Sequence, residues 1–283
     1  MKTYYSERSN EKRIHVRCNL CGSDDMKEVF TIEGSNFVQC RKCGLVYQNP
    51  QPVFSDLQRR YGKNYFEYEI ENERNFFRLM LLGLKDINFE KLESGILNTS
   101  MGGARFMDIG CATGMLLSHM KSRGWITKGV ELCRESAEYG IRERGLDIHI
   151  GPVENSGTES DSFSVIHFSH LIEHVPDPMA LLKEVHRILV PNGYAIVTTP
   201  NFHGFQAKLL KKNWRSAIPD HLFLFTPATL REMLKKTGFE IEKFITWGGI
   251  AKGLAPYFIK APMDRLAKLL GFGDVMLFLA RKD

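Results

Sequence analysis

From residue 105 onward the chain alternates short apolar runs with amphipathic stretches. The runs are "RFMDI", "WITKGVEL", "LDIHI", "FSVIHFS", "YAIVTTP", "FEIEKFITW" and "VMLFLAR". Strand-length runs separated by helix-length segments predict an α/β fold, a parallel sheet covered by helices on both faces. In "DPMALLKEVHRILVPNG", Asp177 can cap a helix and Pro178 fits its first turn. Leu181, Leu182, Val185, Ile188 and Leu189 then form one apolar stripe ahead of Gly193. "TPATLREMLKKTG" repeats that logic from Thr226 to Gly238. Residues 54–98 hold Tyr61, Tyr65, Phe66, Phe76 and Phe77 among charges without a proline, so they read as helical. They serve either as a lid over an acceptor site or as an amphipathic cover on the core. Ahead of them the two prolines of "GLVYQNPQP" end the N-terminal segment and mark a connector. The chain thus divides into residues 1–50, a helical connector or cover at 51–102 and a main domain at 103–283.

The stretch "RFMDIGCATGML" at residues 105–116 reads as strand, tight turn and helix start. Such turns hold nucleotides, and the residues around this one narrow the choice. A phosphate-binding P-loop needs Gly-Lys-Ser/Thr, which is absent, and the dinucleotide fingerprint needs three spaced glycines where this turn has Gly110 and Gly114 with Ala112 between. Asp108 ends the strand just before the turn, where it would repel a pyrophosphate and favour a cationic ligand. Cys111 stands in the turn as a packing or cofactor-wall residue. The next strand run closes on Glu131 and Leu132, about 20 residues past the turn, where a carboxylate can accept both ribose hydroxyls. Past the third run, "GPVENS" offers Val153 as an apolar wall for an adenine and Glu154 as an acceptor for its amino group.

Four of the six cysteines, Cys18, Cys21, Cys40 and Cys43, form a C-x2-C-x18-C-x2-C pattern, the spacing of a four-thiolate zinc ribbon. Gly22 and Gly44 follow the two pairs and allow the knuckles. Residues 1–50 carry eight Lys and Arg against six Asp and Glu, and a four-thiolate zinc centre brings that balance to about zero. A neutral finger is a poor phosphate clamp, which argues against RNA, and a net charge of +5 for the whole chain gives no indication of DNA binding. The ribbon is expected to supply folding energy and a packing surface. No run of about 18 apolar residues predicts membrane insertion, and "KAPMDRLAKLLG" fits packing better than a membrane surface. The N-terminus lacks the pattern of a secretory signal, so a cytoplasmic location with reduced cysteines is expected.

In this order, "MDIGCATG", "GVELC", "DSFSVIHFSHLIEHVPDPMALLKEVHRILVPNGYAIVTTPN" and "DHLFLFTPATLREMLKKTGF" resemble the class I S-adenosylmethionine-dependent methyltransferases, in the branch similar to ubiquinone-biosynthesis and sugar methyltransferases. The likeness covers roughly residues 103 to 247. The ribbon followed by "CGLVYQNPQP" resembles the zinc-binding front end of deoxysugar C-methyltransferases. This resemblance implies a Rossmann-like seven-stranded sheet whose last strand, "VMLFLARK", is antiparallel. It implies S-adenosylmethionine as cofactor, with Asp108, Gly110 and Gly114 in the first motif and Glu131 as the ribose acid. Ala112 replaces the commoner middle glycine, and Ser164 the commoner Asp of the fourth strand.

Ligands bind beyond the carboxyl ends of parallel strands, so "SHLIEH" after the fourth strand is expected to face the cofactor, with Ser169 beside it and His170 and His174 as candidate bases. His221 in "PDHLFLF" is a third. "KLLKKNWR", with Lys208, Lys211, Lys212 and Arg215, is either a solvated face or a clamp for an anionic acceptor. The sequence therefore predicts a methyltransferase acting on a small-molecule acceptor, sugar-, nucleotide-sugar- or lipid-linked. The rivals are an RNA methyltransferase that uses the ribbon for recognition, and a non-catalytic cofactor-binding partner subunit.

Overall fold

A computed structural model of the chain describes residues 11–100, 102–248, 267–268 and 270–283. "KAPMDRLAKLLG" lies largely outside the described residues. The elements run in the order β1 (Arg13–Ile14), β2 (Met26–Ile32), β3 (Ser35–Cys40), β4 (Val46–Gln48), β5 (Gln51–Pro52), α1 (Phe54–Gln58), α2 (Lys63–Asp86) and α3 (Phe89–Thr99). The sheet-and-helix part follows as β6 (Arg105–Ile109), α4 (Met115–Ser122), β7 (Ile126–Glu131), α5 (Arg134–Arg144), β8 (Ile148–Ile150) and β9 (Phe163–Ser169). It ends with α6 (Pro178–Ile188), β10 (Leu189–Pro200), α7 (Phe205–Leu210), β11 (Phe223–Leu224), α8 (Pro227–Lys236), β12 (Phe239–Trp247) and β13 (Val275–Lys282).

Seven strands form one sheet in the order β12-β13-β10-β9-β6-β7-β8, and β13 runs antiparallel to β12. All seven apolar runs of the sequence are strands of this sheet. A second sheet has the order β11-β4-β3-β2, and β1 pairs with β5. The chain divides into two compact units: residues 1–14, 51–168 and 187–194 make the first, and residues 15–50, 169–186 and 195–283 the second.

Within the first unit, β6, β7 and β8 run parallel and in register, with Ile109 opposite Val130 and Glu131 opposite Ile150. Helix α4 buries Leu116, Leu117 and Met120, each contributing about 1.5–3 kcal/mol. The 54–98 stretch is helical, as three helices. Asn88 takes a left-handed conformation at φ 57° and separates α2 from α3, as a short polar side chain can. Helix α2 packs against α3, α4 and α5.

Within the second unit, the helix caps read from sequence are present. Asp177 Oδ1 accepts the Ala180 N–H at 2.9 Å, and Thr226 and Thr229 form a capping box on α8. Two local readings need correction. Leu189 does not continue the α6 stripe but opens β10, which runs through Pro191 and Gly193 with a left-handed Asn192 at φ 62° between them. "GLVYQNPQP" is not merely a connector: Val46–Gln48 is a strand, paired with β3 on one side and β11 on the other. The hairpin with β3 is local, but a partner as far along the chain as β11 leaves no local signature. Phe37, Val46, Ala207, Trp214, Ala217 and Leu224 form the buried core that joins these strands to the segment after β10. Among the described residues no helix is long and apolar enough to cross a membrane.

Candidate active site

The turn after β6 is tight because three of its five residues are left-handed: Gly110 at φ 72°, Ala112 at 48° and Gly114 at 80°. At φ 80° any side chain at Gly114 would be strained, and a Cβ would stand 2.3 Å from Leu146 Cδ1, which would have to move. Ala112 accepts a left-handed cost of about 1 kcal/mol. Glu131 pins the turn to β7. Its Oε2 accepts the Ala112 N–H at 2.8 Å and its Oε1 the Cys133 N–H at 2.7 Å. The carboxylate is 5% exposed. Burial raises its pKa against the lowering effect of these backbone donors. Gly151 N–H donates to the Glu131 carbonyl at 2.8 Å, which brings the turn of Val153 and Glu154 beside it. Val153 is buried, Leu132 half-buried and Glu154 exposed. Cys111 is buried with its sulfur against Gly129, where a Cβ would come within 2.7 Å, so it packs the sheet.

Asp108 is buried as well, and its Oδ1 meets His167 Nδ1 of the neighbouring strand at 2.7 Å. His167 was not singled out in the sequence because it sits inside the apolar run "FSVIHFS". Two acids of α2 also join this unit's site without a sequence signal beyond their i, i+4 spacing. Glu73 accepts from Thr113 Oγ1 at 2.7 Å and Arg144 Nη2 at 2.8 Å, while Arg144 also donates to the Thr113 carbonyl. Glu69 is pushed up to about 7 by burial and by the Glu131 charge. Carboxylates without a lysine in the turn make a pocket suited to a cationic, hydroxyl-bearing ligand and unsuited to a diphosphate. That donor set fits S-adenosylmethionine.

Ser169, His170, His174 and His221 lie in the second unit. His170, left-handed at φ 53°, is half exposed and places Nδ1 3.2 Å from Glu173 Oε1. Thr199 Oγ1 donates to Glu173 Oε2 at 2.8 Å. Burial alone would raise the Glu173 pKa, but the His170 hydrogen bond and the imidazoles of His170, His174 and His221 hold it down at about 2. His174 Nδ1 is 3.0 Å from the Asp220 carbonyl and His221 Nδ1 is 2.7 Å from the Ser216 carbonyl. A carbonyl only accepts, so each ring carries a proton on Nδ1, and a neutral His221 ring therefore leaves Nε2 as an acceptor. The two rings meet edge to face at 4.6 Å. His221 is pushed down to about 4 by burial and by His174, and is neutral at pH 7. Ligand atoms of Glu173, His174 and His221 lie within 4.8 Å of one another, an arrangement that can take up a proton or hold a cation.

Of the basic run, Lys208 lies 4.8 Å over the Phe272 ring and Arg215 pairs with buried Asp274 at 2.7 Å. Lys211 and Lys212 are exposed. The four ribbon sulfurs lie within 4.8 Å of one another, with Cys18 to Cys43 at 3.4 Å and Cys21 to Cys40 at 3.5 Å. Zinc–thiolate bonds of about 2.3 Å set tetrahedral edges of about 3.8 Å, so the donors fit zinc. Gly22 and Gly44 are left-handed at φ 71° and 80° and close the two knuckles. Burial pushes the Cys18 and Cys43 thiols up, whereas backbone N–H groups of Cys43 and Lys42 outweigh burial at Cys40 and bring it to about 7.

A family model described as a methyltransferase domain matches residues 79–243, more than half of the chain. The ubiquinone biosynthesis O-methyltransferase of Aeromonas salmonicida is 28% identical over 149 residues, 48% of this chain and 63% of that protein. The protein of that name from Thiobacillus denitrificans is 22% identical over 203 residues, 67% of this chain and 82% of its own. The chain thus spans less than two thirds of the first relative's length. Among solved structures, a SAM-dependent methyltransferase of Thermotoga maritima, described as a possible histamine N-methyltransferase, aligns with a TM-score of 0.55 at 23% identity over 77% of this chain and 98% of its own. A SAM-dependent methyltransferase of Archaeoglobus fulgidus aligns with a TM-score of 0.54 at 19% identity, over 78% and 100%. The sheet order, the Gly-rich turn and the family match agree: this chain belongs to the methyltransferase-domain family and has the class I fold of S-adenosylmethionine-dependent methyltransferases.

Proposed function

We propose that this protein transfers a methyl group from S-adenosylmethionine to a small, anionic acceptor, a sugar-, nucleotide-sugar- or lipid-linked intermediate of glycan or natural-product biosynthesis. In this reading residues 1–50 form a ribbon around one zinc held by Cys18, Cys21, Cys40 and Cys43. Residues 51–102 are a helical cover, and residues 103–283 the methyltransferase domain, working in a reducing compartment such as the cytoplasm. The observation that carries the reading is Glu131, a buried carboxylate fixed by two backbone N–H groups beside a turn that offers no cation. When bound, the cofactor supplies a methyl group already activated by its sulfonium.

The chain's own residues bind and orient. Glu131 has lone pairs left for two ribose hydroxyls, and Gly110 and Gly114 let the backbone come close. Val153 walls the adenine and Glu154 accepts from its amino group, with Leu132 beside them. Asp108 sets the local negative potential while it holds His167. On the acceptor side, His174 or His221 takes up the hydroxyl proton through Nε2, and Glu173, ionised at every working pH, holds His170 in place. An oxygen acceptor has the support of the relatives named for ubiquinone O-methylation. An anionic acceptor has the support of Lys211 and Lys212, which make no ion pair among the described residues. A remote anion held there would orient the acceptor without touching the reacting atom.

Tritium transfer from labelled cofactor into a cell extract, split into RNA, protein, lipid and small-molecule fractions, tests this. The label is expected in a small-molecule or lipid fraction retained on an anion exchanger. Label in RNA or protein, or no transfer at all, would sink the proposal.

A further inference from the structure

Two ribbon side chains that are not metal ligands reach the segments that carry His174 and His221. Asn19 lies inside the first knuckle, between Cys18 and Cys21. Its Oδ1 accepts the Met179 N–H at 3.0 Å and its Nδ2 donates to Asp177 Oδ1 at 2.8 Å. The same Asp177 oxygen caps α6 through the Ala180 N–H. The knuckle therefore joins the cap of the helix that follows His174. From the same knuckle, the Leu20 carbonyl accepts a hydrogen bond from Lys236 of α8 at 3.2 Å.

Gln48, the last residue of β4, is completely buried. Its Nε2 donates to the Pro219 carbonyl at 2.8 Å and the His221 carbonyl at 2.9 Å, and its backbone N–H donates to the Leu222 carbonyl at 2.8 Å. Directly beyond, Tyr47 pairs with Phe223 and Val46 with Leu224. The backbone at His221 is thus an extension of the ribbon sheet, held by one amide that satisfies two carbonyls. The apolar core of Phe37, Val46, Trp214 and Leu224 already joins the ribbon to this unit. Apolar packing tolerates small shifts, whereas hydrogen bonds fix direction. A buried glutamine whose own Oε1 has no partner is therefore a poor choice for packing and a good one for aiming a loop.

We infer that the four-cysteine ribbon is a positioning element for the His174–His221 pair, in which Asn19 fixes the chain behind His174 and Gln48 fixes the backbone of His221. Both are positioning residues, acting on the imidazoles through the main chain. The importance of this for catalysis rests on the proposed function; the positioning itself does not.

The test uses the full chain, shown by elemental analysis to carry one zinc, with the histidine ring nitrogens followed by 15N NMR and cofactor-site integrity followed by calorimetry with S-adenosylhomocysteine. Gln48→Leu removes both donors at similar volume, and Gln48→Glu turns a carboxylate toward two carbonyls. Both are expected to move the His221 ring signals, the second more. Asn19→Ala is expected to move those of His174. Thr31→Ala, on the exposed β2–β3 hairpin, moves neither, and S-adenosylhomocysteine affinity stays within about twofold throughout. Unmoved rings in folded Gln48 variants overturn the inference. So does a loss of S-adenosylhomocysteine binding alongside the shifts, which would make the ribbon a general stabiliser. If neither Gln48 variant folds, Asn19→Ala decides the matter at His174. A chain that passes yet methylates nothing defeats the proposed function and leaves the inference standing.

Discussion

Glu131 and Glu173 are both buried carboxylates, yet their pKa values move in opposite directions. Glu131, in the first unit, is raised by burial although backbone N–H groups of Cys133, Ala112 and Leu132 pull the other way. Glu173, in the second, is held at about 2 in spite of burial, because His170, His174 and His221 face it. The difference lies in the partners. Backbone dipoles orient Glu131 without cancelling its charge, and in the proposed reading the cofactor brings the remaining hydrogen-bond donors and the positive charge. Glu173 has its compensation inside the chain. In that reading one carboxylate is a receptor and the other a fixed strut, a distinction that burial alone would miss.

Breaking the strut has the larger expected effect. Glu173→Gln removes a buried charge hydrogen-bonded to His170 Nδ1 and Thr199 Oγ1, and breaking a buried pair of this kind costs about 3–5 kcal/mol. Because its pKa is depressed, the stabilisation from Glu173 is complete above the ordinary carboxylate range and is lost as pH falls from about 4.5 to about 2. Denaturant unfolding is therefore expected to show a deficit at pH 7 that narrows in acid. A deficit unchanged between pH 7 and pH 3 would mean that shape, not charge, is what Glu173 provides.

The receptor gives a smaller number. Glu131→Gln keeps one acceptor for the turn but loses the charge and half of the proposed ribose contacts, and is expected to weaken S-adenosylmethionine binding by about 1–3 kcal/mol in calorimetry. Unchanged affinity in the folded variant would put the ribose elsewhere and remove the contrast with Glu173.

The same contrast explains what could be read in the chain. The turn and its acid were legible because their contacts are short in sequence: Ala112 and Glu131 are 19 residues apart, Glu131 and Cys133 only 2. Strand runs, helix caps and the cysteine spacing are local patterns of the same kind. The surroundings of Glu173 were not legible, because no pattern announces a pairing such as Gln48 with His221, 173 residues apart. "GLVYQNPQP" reads as a connector for that reason, since its strand is short and its second partner, β11, is far along the chain. His167 was hidden by alternation, a polar residue in a run whose apolar neighbours dictated the reading. Glu69 and Glu73 were hidden by composition, two acids among many on an amphipathic helix.

Glu69 offers the finest probe of the comparison. It stands in the first unit with its pKa raised to about 7, by burial first and then by the negative charge of Glu131, against a hydrogen bond with Tyr65. If Glu131 is a receptor still short of positive charge, a cationic ligand favours the ionised form of Glu69 and expels its proton on binding. The sign follows: affinity for the cation rises as pH climbs through about 7 and levels off above. S-adenosylhomocysteine shares every group of S-adenosylmethionine but the methylated, charged sulfur, so the ratio of their affinities isolates this charge. That ratio is expected to shift toward S-adenosylmethionine by roughly three- to tenfold between pH 6 and pH 8, the scale of one added charge in a partly solvated pocket. Glu69→Gln should flatten the dependence while leaving S-adenosylhomocysteine binding nearly unchanged. A wild-type ratio that ignores pH would mean that Glu69 does not sense the sulfonium, and that the charge deficit around Glu131 is met by ribose hydroxyls alone.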